Sequence, residues 1–238
     1  VRVDPLQMTS ADVGDEPLLL SAFAPVWIAR ARDQAVKLAE EHSGLKAIIL
    51  DDGFQNPAVR KDLSIVVVDA ETGFGNGLCL PAGPLREPVE TGLARADLLL
   101  SIGDTAAQEA FTQNWGDKIE IPGLRGHLQP LQTGMDWAGL PVVAFAGIGR
   151  PEKFFQTVRA LGADLREWHA LDDHQPLTPA LLTRLEAEAK SQGAQLVTTE
   201  KDAVRLPAEF KTRVLTVPVR LQIEDWDVLQ AQLSKLGL

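Results

Sequence analysis

Val142-Val143-Ala144-Phe145-Ala146-Gly147-Ile148-Gly149 is the stretch that decides the fold. Its first five residues form an unbroken apolar run of strand length, the pattern of a strand buried on both faces. A helical pattern over Pro151 to Leu161 follows it. Strand then helix is the repeating unit of α/β layering. Working outward, the same alternation recurs. Strands are expected at Val26 to Ala29, Ala47 to Leu50, Ser64 to Val68, Leu98 to Ile102, Gln195 to Thr198 and Val214 to Val217. Helices are expected at Arg32 to Glu41, Pro179 to Gln192 and Asp225 to Leu236. Thr178-Pro179 makes a good helix start, because Thr caps and Pro suits the first helical position. Residues 71 to 92 are dense in Gly and Pro and read as a long loop, a kind that is usually functional. The irregular stretch Pro122 to Leu140 reads as a linker or hairpin. The expected organisation is a first domain over 1–122, a connection over 123–140 and a smaller α/β domain over 141–238.

Composition narrows the function. The 238 residues carry a net charge of −10, whereas nucleic-acid binding needs a basic face, so no nucleic-acid partner is expected. The one cysteine, Cys79, excludes an internal disulfide and a cysteine-based zinc site. No apolar run approaches the roughly 18 residues of a membrane span. The chain starts Val1-Arg2-Val3-Asp4-Pro5, which reads as the interior of a longer reading frame.

Several groups have the chemistry of a site. Asp51-Asp52-Gly53 follows an apolar run, and acids at the carboxyl end of a parallel strand lie where open α/β sheets bind ligands. Such acids either hold Mg²⁺ through hard oxygens or simply open a turn. Asp15 and Glu16 are either first-turn helix acids or carboxylates placed to accept a proton. His174, set in Asp172-Asp173-His174-Gln175, is either an exposed loop histidine or a proton-transfer group oriented by its acidic neighbours. In Thr199-Glu200-Lys201-Asp202, a helix N-cap is the simpler reading, and Lys201 meeting an anionic group is the other. Arg86, on the Pro-stiffened loop Pro81 to Pro88, is either a phosphate fork or the partner of an acid such as Glu87. Nowhere in the 238 residues is there a G-x-x-x-x-G-K-[ST] phosphate loop.

Taken in order, these blocks resemble the tetraacyldisaccharide 4′-kinases of lipid A biosynthesis. The resemblance runs through Val13-Gly14-Asp15-Glu16-Pro17, Asp51-Asp52-Gly53-Phe54-Gln55, Phe74-Gly75-Asn76-Gly77 and Leu80-Pro81-Ala82-Gly83-Pro84-Leu85-Arg86-Glu87. It continues through Ala146-Gly147-Ile148-Gly149, Asp173-His174-Gln175 and Thr199-Glu200-Lys201-Asp202. Phe74 to Glu87 is the most specific part. The resemblance implies a P-loop-kinase-like parallel sheet with helices on both faces, plus a second, smaller α/β domain. It implies ATP as co-substrate with Mg²⁺, and the lipid A disaccharide precursor as acceptor of the γ-phosphoryl on its 4′-hydroxyl. It also implies a position on the cytoplasmic face of the bacterial inner membrane. Carried over by motif, Asp15 is the catalytic acid–base group, with His174 assisting. Glu16, Asp51 and Asp52 are the Mg²⁺-side acids, and Gln55 and Arg86 contact the acceptor. The family's phosphate loop and apolar membrane-docking segment would lie before Val1, leaving this chain an inactive fragment. Asn56 stands where the family has His. The other class open to the sequence is a non-catalytic module that binds the lipid disaccharide.

Overall fold

A computed structural model describes residues 1–42, 44–173 and 175–238. The chain divides into two compact units, one of Val1–Arg30 with Pro130–Arg220, the other of Ala31–Gln129 with Leu221–Leu238. The chain passes between units three times, because the earliest and latest segments belong with partners distant in sequence.

The first unit begins with two short helices, α1 (Ser10–Val13) and α2 (Asp15–Leu20). They are separated only by Gly14, whose φ of +90° is a conformation that side chains rarely adopt. The second unit supplies α3 (Arg32–Glu40), β1 (Ile65–Asp69), α4 (Val89–Leu93), β2 (Leu98–Ile102), α5 (Thr105–Trp115) and β3 (Gly123–Pro130). Back in the first unit come β4 (Pro141–Ala146), α6 (Pro151–Ala160), β5 (Asp164–Ala170), α7 (Pro179–Ser191) and β6 (Gln195–Thr199). The four-residue α8 (Glu200–Ala203) and β7 (Leu215–Val217) follow, then β8 (Val219–Ile223) and α9 (Asp227–Lys235).

The sheet of the first unit has the order β5-β4-β6-β7 with every pair parallel. β4 is central, and its alternating side chains feed two cores. Val143 and Phe145 meet Leu182, Leu185 and Ala189 of α7. On the opposite face Val142, Ala144 and Ala146 meet Phe154, Phe155 and Val158 of α6. The sheet is therefore doubly wound, and its winding reverses between β4 and β6. The second sheet has the order β1-β2-β3-β8, with β1, β2 and β3 parallel. One face carries Val68 and Leu99 against Phe111 of α5 and Leu93 of α4. The other carries Leu98, Leu100 and Leu124 against Leu229 of α9. Two parallel-dominated sheets, each with helices on both faces, are the α/β architecture expected.

Three strands were not expected. β3 contains Gly and Pro and falls where a linker was read. Its Gly126 is required, since a Cβ there would sit 2.7 Å from the Gln222 carbonyl oxygen. β5 (Asp-Leu-Arg-Glu-Trp-His-Ala) is a polar edge strand, and β8 directly follows β7. Two expected strands do not form. Val26 to Ala29 contributes a single bridge, Arg2 to Trp27, and Ala47 to Leu50 joins no sheet among the described residues. Ile49 is 93% exposed there. An apolar run becomes a strand only where a neighbouring backbone completes its ladder.

Candidate active site

In the first unit the winding reversal places Gly147, after β4, next to the start of α8, after β6. That is the crevice where open α/β sheets bind ligands. Thr199 caps α8, its hydroxyl oxygen accepting from the Asp202 N–H at 3.1 Å. The same hydroxyl donates to Asp202 Oδ2 at 2.7 Å. Asp202 is 0% exposed, and its carboxylate also accepts from the Gly147 N–H at 3.1 and 3.2 Å. An ion pair with Arg205 Nη2 completes its shell. Burying a carboxylate is costly unless it is paired and hydrogen-bonded, and this one is both.

Arg205 links that network to the N-terminal acids. Its Nη1 donates to the Gln175 carbonyl at 3.1 Å and its Nη2 to the Gly147 carbonyl at 3.1 Å. Its Nε lies 3.5 Å from Asp15 Oδ2, the Arg205 and Asp15 side chains being only 8% and 10% exposed. Lys201, four residues before Arg205 and so on the same side of the turn, lies 3.5 Å from the Glu16 carboxylate. Thr199 to Asp202 is thus the helix cap of the simpler sequence reading, and Lys201 faces a carboxylate of the chain itself. A cavity of about 640 Å³ is lined by Gly14, Asp15, Glu16, Pro176, Leu177 and Arg205. His174 lies outside the described residues.

The remaining candidates belong to the second unit. Asp51 and Asp52 do not end a strand, since none forms at Ala47 to Leu50; they form an exposed turn with Asp52 at φ +46°. Two cations tie this turn by its backbone. Arg32 donates to the Asp51 and Asp52 carbonyls at 2.6 and 3.0 Å. Lys61 Nζ donates to the Phe54 carbonyl at 3.3 Å and the Asn56 carbonyl at 2.6 Å. Gln55 and Arg86 are brought together, Arg86 Nη1 donating to Gln55 Oε1 at 3.1 Å. Gln55 Nε2 donates in turn to Glu87 at 2.8 Å. That amide, with the Arg95 guanidinium beside it, holds the Glu87 carboxyl below its ordinary range. Arg86 thus pairs with a glutamine, and Arg95 takes Glu87.

A pair of adjacent exposed carboxylates suits Mg²⁺, which is usually bound by one or two protein carboxylates with phosphate and water oxygens. Among the described residues no group of three or more His, Cys, Asp and Glu is placed to cage a metal. Arg205, Arg32 and Lys61 escaped the sequence reading. The four-residue spacing of Lys201 and Arg205 after a strand was the available signal for the first. Nothing local marked the other two, because a cation that binds carbonyls needs no particular neighbour.

The family of tetraacyldisaccharide-1-P 4′-kinases matches residues 1–237. A tetraacyldisaccharide 4′-kinase of Dinoroseobacter shibae is 61% identical over 237 residues, covering 99% of this chain and 70% of that protein. One from Rhodospirillum centenum is 49% identical, covering 99% of this chain and 69% of that protein. Among solved structures, the "apo" form of LpxK from Aquifex aeolicus in complex with ATP superposes with a TM-score of 0.70. It is 22% identical, covers 98% of this chain and 71% of that one, and shows the shared fold. By the span of the match and the identity of these relatives, this chain belongs to the tetraacyldisaccharide 4′-kinase family.

Proposed function

We propose that the protein transfers the γ-phosphoryl group of ATP to the 4′-hydroxyl of the tetraacyldisaccharide 1-phosphate precursor of lipid A. The observation that carries the reading is Asp15, a carboxylate on a cavity wall, 10% exposed and held against a guanidinium. In this reading the acceptor oxygen bonds to the γ-phosphorus while the bond to the β–γ bridging oxygen breaks, and ADP leaves. Asp15 takes the hydroxyl proton, with His174 assisting. Phosphoryl transfer asks chiefly for positioning and charge neutralisation, which suits a site of oriented carboxylates and cations. Asp51, Asp52 and Glu16 are the Mg²⁺-side acids; when bound, the ion neutralises charge on the donor phosphates. Gln55 and Arg86, already joined by a hydrogen bond, face the acceptor's sugar or phosphate as one unit. No helix among the described residues is long and apolar enough to cross a membrane. A peripheral position at the cytoplasmic face of the inner membrane is proposed, where a lipid acceptor is met.

The test is transfer of labelled phosphate from Mg·ATP to the tetraacyldisaccharide 1-phosphate, measured for residues 1–238 and for the full gene product. Asp15→Ala is expected to lower turnover of the active form by about 10²- to 10⁴-fold with an unchanged thermal melt. Turnover close to wild type would remove Asp15 from proton transfer. Tight disaccharide binding by the full gene product with no transfer would favour the binding-module reading instead.

A further inference from the structure

We infer that Arg205 is a positioning residue that sets the orientation of the Asp15 carboxylate, and that Asp202 exists to hold Arg205 in place. The inference rests on the reading of Asp15 as proton acceptor. Its ground is an asymmetry in how the guanidinium is used. Two of its three nitrogens are engaged, Nη1 by the Gln175 carbonyl and Nη2 by the Gly147 carbonyl and the Asp202 carboxylate. Those acceptors come from three separate stretches of the chain, so the plane of the fork is fixed from several sides. The third nitrogen, Nε, is buried and makes no hydrogen bond. What faces it is Asp15 Oδ2 at 3.5 Å, an ion pair slightly longer than a hydrogen bond.

A planar cation pinned at one end, with its remaining nitrogen 3.5 Å from a carboxylate, restricts the rotation of that carboxylate more than a flexible ammonium does. The approach of a carboxylate oxygen to an acceptor hydroxyl depends on that rotation, and misplacement by about 1 Å costs on the order of 10²-fold in rate. Asp202 is the anchor at the other end. Fully buried, it accepts from Thr199 and Gly147 and pairs with Arg205, and has no described contact with Asp15 itself. The chain of control runs from β6 and the turn after β4, through Asp202 and Arg205, to the candidate base.

The experiment is steady-state kinetics of the active gene product carrying Arg205→Lys, Asp15→Asn and both together, each checked by thermal melt. Arg205→Lys keeps a cation opposite the buried Asp202 but removes the fork. The expected result is a fall in kcat on the order of 10²-fold, with KM for ATP and for the disaccharide within about two-fold of wild type. In the Asp15→Asn background the same substitution should cost nothing further. Unchanged kcat in Arg205→Lys overturns the inference. So does a raised KM for the disaccharide with kcat intact, which would make Arg205 a substrate contact. A full additional loss in the Asp15→Asn background overturns it too. If Arg205→Lys does not melt cooperatively, Arg205→Ala with added guanidinium decides. Recovery of kcat by several-fold supports the inference, and no recovery overturns it. Asp15→Asn at wild-type turnover is a different failure, of the base itself, and the single variant tells the two apart.

Discussion

Two acidic pairs, Asp15-Glu16 in one unit and Asp51-Asp52 in the other, are held in opposite ways. Asp15 is gripped through its side chain, against Arg205 and out of solvent. Asp51 and Asp52 are gripped through their backbone carbonyls by Arg32, and their side chains stay exposed. A carboxylate that must present one oxygen in one direction benefits from a fixed side chain. Carboxylates that meet a hydrated cation benefit from a fixed loop with side chains left in water, because the ion keeps several of its own waters. In the proposed function the same residue type serves two tasks, and the structural difference lies in which atoms the neighbouring cations touch.

That contrast breaks most easily at the buried end. Asp202→Ala leaves the Arg205 guanidinium buried without its carboxylate, and removing one partner of a buried pair costs about 3–5 kcal/mol. Chemical denaturation of this variant should show that loss, and a change below about 1 kcal/mol would mean that the network does not bear on the fold. The exposed end is sharpened by Lys61→Met. Losing a cation that bonds the Phe54 and Asn56 carbonyls should cost about 1–2 kcal/mol and speed amide exchange over residues 51–58. Unaltered exchange would show that Arg32 alone holds the turn. The smallest effect is expected at Glu87, where Gln55 and Arg95 hold the carboxyl below its usual value of 4.5. A depressed carboxyl stabilises the fold above the unfolded value and loses that contribution as pH falls through the folded one. The stability difference between wild type and Glu87→Gln, under about 1 kcal/mol at pH 7, should begin to shrink as pH falls below 4.5 and vanish once pH has passed the lowered folded value, in a pH series of denaturation curves. A difference that persists at low pH would assign the effect to packing.

Much of this was legible in the chain. Continuous apolar runs located β1, β2, β4, β6 and β7 to within a residue or two, and the almost wholly buried β2, β4 and β6 needed little else. The polar edge strand β5 and the glycine-bearing β3 were not legible, since their partners, not their own residues, make them strands. Ala47 to Leu50 shows the converse, an apolar run of strand composition left outside any sheet. The acids of the site stood out by motif. Their cations did not, because Arg205 meets Asp15 across 190 positions of sequence. No periodicity records such a contact.

The path of the chain has a consequence for biosynthesis. The layer that covers Leu98, Leu100 and Leu124 comes from α9, and the fourth strand of that sheet from β8. While a ribosome is still making residues 130–220, three strands of the second unit precede the helix that covers one of their faces and the strand that pairs the β3 edge. Such surfaces are where nascent chains associate wrongly. The first unit waits as well, since Asp15 meets Arg205 only once residue 205 has been made. Neither half can finish early, so the two should mature together, and a chaperone that shields apolar strands during translation would act mainly on the second.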